Sequence, residues 1–139
     1  DLYYVAALAR SVDCRGAGFF TNPQVITDTK TFMVNGGADD NDAAIHCIPY
    51  VKKMKANGAD IEMIIKKGWH HGFTANHEAE LYPNARNHSK CPHYYMNDDG
   101  SVNSGMGWDT CVTRGITFGG NKGGAFKKPF LKFFEENLL

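Results

Sequence analysis

The strongest constraint on this chain is an alternation of apolar runs over residues 1–70. TFMVNGG (31–37) is a short apolar run closed by glycines, and ADIEMIIKKG (59–68) is a second, with Ile61, Met63 and Ile65 on one face. Between them DNDAAIHCIPYVKKMKANG (40–58) carries apolar residues at helical spacing. Asp42 is a candidate N-cap for that helix and Gly58 a candidate C-cap, while Pro49 predicts a kink or a later first turn. Upstream, LYYVAALARSV (2–12) reads as a buried helix from its Ala and Leu content, CRGAGFF (14–20) as a strand, and NPQVITDTK (22–30) as a polar loop. Strands separated by a helix call for a parallel sheet with crossover helices on its faces, an α/β architecture.

In open parallel sheets the functional loops lie beyond the carboxyl ends of the strands. The two most polar clusters of the alternating region fall there: GGADDND (36–42) after one strand and GWHHGF (68–73) after the next. An acid and a histidine therefore come from neighbouring strand ends. Asp39 follows a Gly36-x-x-Asp39 turn, and His71 precedes Gly72-Phe73. A carboxylate that orients an imidazole must reach one ring nitrogen while the other faces the reaction, and adjacent loops allow this. Acid-rich strand ends also serve as helix caps, so spacing alone leaves both roles open for these aspartates.

Downstream, residues 69–92 read as a long irregular stretch dense in His, Asn and Pro. CPHYYMNDDGSVNSG (91–105) reads as a strand running into a hairpin turn at Asp99-Gly100. GGNKGGAF (119–126) is a glycine-rich turn without the Gly-Lys-Ser/Thr ending of a phosphate-binding loop. KKPFLKFFEENLL (127–139) is an amphipathic helix that turns Phe130, Phe133, Phe134 and Leu138 to a core.

At 139 residues the chain is the size of a single domain. Fifteen basic side chains balance fifteen acidic ones, so the charge gives no footprint for nucleic acid or an anionic membrane surface. No apolar run approaches the roughly 18 residues of a membrane span. Cys14, Cys47, Cys91 and Cys111 are widely spaced, without a C-x-x-C pair, and read chiefly as free thiols. A Cys91–Cys111 bridge is the pairing open to the chain in an oxidising compartment. The expected location is cytoplasmic, with secreted or periplasmic placement left open.

GGADDNDAA followed, after a helix and a strand, by KKGWHHGF resembles the C-terminal half of the dienelactone hydrolase family of α/β-hydrolases. YPNARNHSKCPHYYMNDDG resembles the segment after the family's histidine, and GGNKGGAFKKPFLKFFEENLL resembles its closing helix. LYYVAALARSVDC looks like the helix after the nucleophile elbow. The resemblance implies a partial α/β-hydrolase fold over 1–139, with a parallel sheet, flanking helices, a C-terminal hairpin and a helix. It implies Asp39 as triad acid, with Asp40 as the one-residue alternative, and His71 as base, with His70 turned elsewhere. The implied substrate is a small ester or lactone, without cofactor or metal.

The family's nucleophile sits in a Gly-x-(Cys/Ser)-x-Gly elbow, and no such pentapeptide occurs here. The expectation is a nucleophile-bearing half upstream of Asp1, or a partner chain, that covers the first strand. Tyr82 and Arg86, in the loop after His71, are candidates for a substrate entrance. The competing reading from another class is a catalytically silent binding or assembly module. A zinc hydrolase drawing on His71, His77 and Glu78 lacks the usual ligand register, and His88, Cys91 and His93 are too irregularly spaced for a structural site.

Overall fold

The computed structural model describes residues 6–14, 28–91, 95–96, 102–103 and 108–138. Its centre is a three-stranded parallel sheet in the order β1 (Ala6–Arg10), β2 (Lys30–Gly36), β3 (Ile61–Lys66). The β2–β3 connection passes through a 3₁₀ turn (Ala44–His46) and α1 (Cys47–Ala56). A two-stranded antiparallel pair, β4 (Glu80–Asn87) with β7 (Thr113–Phe118), lies outside that sheet. β5 (Tyr95–Met96) and β6 (Val102–Asn103) form a short hairpin, α2 is Trp108–Cys111, and α3 (Lys127–Leu138) closes the described chain. Mixed helices and strands around a small parallel sheet agree with the α/β expectation at that level.

Because side chains alternate along a strand, β2 serves two cores. Phe32 and Val34 face Phe73 and Phe133, with Phe130, Phe134 and Trp69 packed around them. Met33 faces the other way, to Cys14, Cys47, Val51 and Ile61. The sheet is thus covered by α3 on one face and α1 on the other, which suits parallel strands buried on both sides. Phe32 stacks on Phe133 with ring centroids 5.0 Å apart. In β3, Ile61 and Met63 join the α1 core as expected, but Ile65 lies beyond it and is exposed, while Ile64 packs on the α3 side.

Several expectations are corrected. Residues 6–10 are a strand rather than part of a helix, paired with β2 from Ala6↔Lys30 to Arg10↔Val34. Helix propensity is a weak preference that sheet pairing overrides here, and the strand packs Ala6 and Leu8 to one core and Ala9 to the other. Of CRGAGFF only Cys14 is described; residues 15–20 lie outside the described residues, as does the Asp99-Gly100 turn. Asp42 does not cap the helix: the 3₁₀ turn starts after Ala43 without a side-chain cap, and α1 follows His46. Pro49 accordingly falls in the first turn of α1, where a missing N–H costs no intrahelical bond. Gly58, at φ 93°, directly follows the C-cap Asn57.

The stretch 69–92 is not wholly irregular, because it contains β4. Pro83 sits where the register shifts, between Tyr82↔Ile116 and Arg86↔Arg114, a bulge that accommodates a residue without an N–H. The cysteines are not free thiols. Cys91 pairs with Cys111, and Cys14 with Cys47, each with Cα atoms 4.9 Å apart. The second of these was not anticipated. Leu138, expected in the core, is exposed. Among the described residues no helix is long and apolar enough to cross a membrane.

If the α3 face is the main anchor of the sheet, Phe133→Ala should lower unfolding free energy by about 3–5 kcal/mol, the usual range for emptying a buried Phe site. Leu131→Ala, on the exposed face of the same helix, should change it by no more than about 0.5 kcal/mol. Urea unfolding of both variants checks this, and equal losses would contradict the packing.

Candidate functional site

The site forms where β2 and β3 end. Their register runs from Thr31↔Ile61 to Gly36↔Lys66, and backbone bonds continue past it. The Gly37 N–H donates to the Lys66 carbonyl at 2.8 Å, and the Ala38 N–H to the Trp69 carbonyl at 2.9 Å. A side chain at Gly36 would collide with that Trp69 carbonyl, so the close approach of the two loops requires glycine there.

Asp39 is the buried acid of this junction, its side chain 0% exposed. Its Oδ1 accepts the N–H of Asn41 at 3.0 Å and that of Asp42 at 2.8 Å. Its Oδ2 faces His71 Nδ1 at 3.3 Å. Asp42 Oδ2 lies 3.4 Å from the same nitrogen, so two carboxylates converge on one imidazole edge. Asp40, the alternative acid, turns away: both its oxygens accept the Thr117 N–H, at 3.1 and 3.0 Å. His70 also turns away and donates from Nδ1 to the Ala38 carbonyl at 3.1 Å.

His71 is held by its backbone as well. It bridges to Phe118, and the Gly119 N–H donates to its carbonyl at 2.9 Å. Gly72 has φ 61°, and a Cβ there would collide with the Phe118 ring. The ring of Phe118 meets His71 edge-on at 5.7 Å, stacks with His77 at 5.8 Å and takes Tyr82 at 6.0 Å. Beside it opens a cavity of about 290 Å³ lined by His71, Tyr82, Ala85, Ile116 and Phe118. With Nδ1 turned to the acids, the opposite ring edge, carrying Nε2, is the one left for chemistry.

Tyr82, expected at an entrance, does line this cavity; Arg86 is not among its lining residues, and it pairs across the bulged strand with Arg114. His77 is engaged with the Glu78 carbonyl and with Phe118, and His88 with Asn41, and His71, His77 and Glu78 do not come together as one ligand group. The grouping that does assemble is Asp39, Asp42 and His71, whose ligand atoms all lie within 4.8 Å of one another. Phe118, Ile116 and Ala85 were not picked out from the sequence. The alternation in TRGITF was the one signal for Ile116 and Phe118, and the partner strand that carries Ala85 is interrupted by a proline.

Burial pushes the Asp39 carboxyl up, but the hydrogen bond from His71, the two loop amides and the imidazolium charge outweigh it, so its pKa falls below the ordinary 3.8. The hydrogen bond to Asp39 raises the His71 pKa above 6.5; burial opposes this, and the charges of Asp39, Asp42 and Asp40 add to it. These two shifts express one interaction and are not additive. A raised imidazole pKa stabilises the fold below 6.5 and loses that contribution as pH climbs through the folded value. A lowered carboxyl pKa stabilises it above 3.8 and loses that contribution as pH falls through the folded value. The pair therefore helps the fold most between those two ordinary values.

Compared with family models, curated proteins and solved structures, the chain matches none of them. The residues themselves carry the functional reading.

An NMR titration of the histidine rings should give His71 a midpoint above 6.5, and Asp39→Asn should lower it, because the largest cause of the elevation is removed. A midpoint unmoved by Asp39→Asn would break the assigned pairing.

Proposed function

We propose that this chain supplies the base and acid of a dienelactone-hydrolase-like enzyme, acting on an ester or lactone through an acyl-enzyme. The observation that carries this reading is the approach of His71 Nδ1 to Asp39 Oδ2 at 3.3 Å, across loops that leave adjacent parallel strands. Asp39 holds the Nδ1–H tautomer and balances the imidazolium charge, and Nε2 accepts the nucleophile's proton as it attacks the carbonyl. The same nitrogen then delivers that proton to the leaving oxygen. The nucleophile, a Cys or Ser, comes from outside these 139 residues, from an upstream half of the protein or a partner chain. The apolar cavity beside His71 suits an uncharged part of the substrate, with Tyr82 at its edge. No cofactor enters this chemistry.

The α/β-hydrolase fold is part of the same proposal, supported by the parallel order β1-β2-β3 and by acid and base at successive strand ends. The two disulfides favour an oxidising compartment over the cytoplasmic location expected from the sequence.

In the protein that carries the nucleophile, His71→Ala should cut kcat for an aryl ester by at least about 10³-fold, within the range for losing a general base. Its far-UV circular dichroism should be unchanged. Activity that survives this substitution in a folded protein removes His71 from the mechanism. Because the neutral ring is the active form, kcat/KM should fall with acidification through a midpoint above 6.5. A midpoint at or below 6.5 would contradict the assignment.

A further inference from the structure

We propose that Asp39, Asp42 and His71 together form a binding site for a divalent cation of the zinc type. The atoms that face one another are one imidazole nitrogen and two carboxylate oxygens: His71 Nδ1, Asp39 Oδ2 and Asp42 Oδ2. The nitrogen lies 3.3 Å from one oxygen and 3.4 Å from the other. Zinc bonds of about 2.0–2.1 Å at tetrahedral angles place neighbouring ligand atoms roughly 3.3 Å apart. Two of the three edges thus already have the spacing that such an ion needs, and all three atoms lie within 4.8 Å of one another.

The remaining oxygen of each carboxylate is engaged elsewhere. Asp39 Oδ1 is held by the amides of Asn41 and Asp42, and Asp42 Oδ1 accepts from Asn41 Nδ2 at 3.2 Å. Hydrogen bonds of this kind orient a metal-ligating group from behind. The side chains are 0%, 12% and 24% exposed for Asp39, Asp42 and His71, so the acids are more shielded from water than the imidazole. Two carboxylates balance the dication, and the imidazole selects zinc over calcium or magnesium, which require more oxygen ligands.

Binding has a consequence for the ring. An ion on Nδ1 displaces the proton there, and the neutral ring then carries its proton on Nε2. That nitrogen becomes a donor and no longer accepts a proton. Zinc would therefore hold the enzyme inactive. This consequence rests on the hydrolase reading, whereas the binding site does not.

The test uses zinc chloride added to this chain labelled with ¹⁵N, read by the histidine ring resonances and by calorimetry, with no substrate present. One equivalent should bind, moving the Nδ1 resonance of His71 and leaving that of His77 in place. Asp42→Asn, checked for folding by circular dichroism, should weaken binding at least about tenfold. Zinc that fails to bind, or that moves only other histidines as an adventitious ion, overturns the site. So does binding unchanged by Asp42→Asn. The wild-type ring resonances decide the matter even if the variant does not fold, and absence of hydrolase activity has no bearing on either readout.

Discussion

The register between β2 and β3 is the constraint on which the rest of the site depends. Gly36 lies opposite Lys66, so the chain leaves both strands at one level of the sheet. The amides of Gly37 and Ala38 then bond to the carbonyls of Lys66 and Trp69, extending the pairing into the loops. Asp39 is the next residue on one side, and His71 follows Trp69 by two positions on the other. A slip of one residue would turn Phe32 and Val34 from the α3 core to the opposite face, so core packing fixes the register and the register places the site.

The second sheet holds the histidine from the other side. β4 and β7 contribute little to the two main cores, yet they bring Phe118 against His71 and pair Tyr82 with Ile116. Phe118 needs the space that Gly72 leaves open, and the His71 carbonyl takes the Gly119 amide. The imidazole is thereby fixed at its backbone, at its Nδ1 edge and against one aromatic ring. An orienting carboxylate is useful to a base only if the ring cannot swing away from it, and these three restraints meet that condition.

The elements legible in the sequence were those that carry a single period. TFMVNGG and ADIEMIIKKG became β2 and β3, and the phenylalanine spacing of KKPFLKFFEENLL became α3, because burial follows directly from such patterns. The strand at Ala6–Arg10 was misread, since five residues of AALAR contain too little periodicity to set against their helix propensity, and only pairing with β2 decides the outcome. β4 was hidden by Pro83 and its asparagines, which signal a loop unless a bulge and a partner strand exist. The Cys14–Cys47 bridge joins residues 33 apart, a pairing that spacing does not encode. Asp39 and His71 were identifiable as a juxtaposition because strand ends that are neighbours in topology are neighbours in space. The cavity was not, because it arises from a pairing between segments about thirty residues apart.

The acid loop places three carboxylates within four residues, and the backbone separates their roles. Asp39 turns inward, where the amides of Asn41 and Asp42 fix one of its oxygens and leave the other to His71. Asp40 points across to β7 and ties Thr117 to the loop. Thr117 adjoins Phe118, so Asp40 helps to set the aromatic ring that packs on His71. Asp42 returns to the imidazole because the turn made by Asp39 brings it back to that side. Sequence adjacency left Asp40 as the fallback for Asp39 as acid, whereas in the fold Asp39 meets the ring directly and Asp40 acts on the wall behind it. Asp40→Asn would keep the His71–Asp39 approach, loosen the β7 side and remove one of the charges that raise the His71 pKa, so Asp39 acts on the histidine by direct contact and Asp40 through the wall behind it and at a distance.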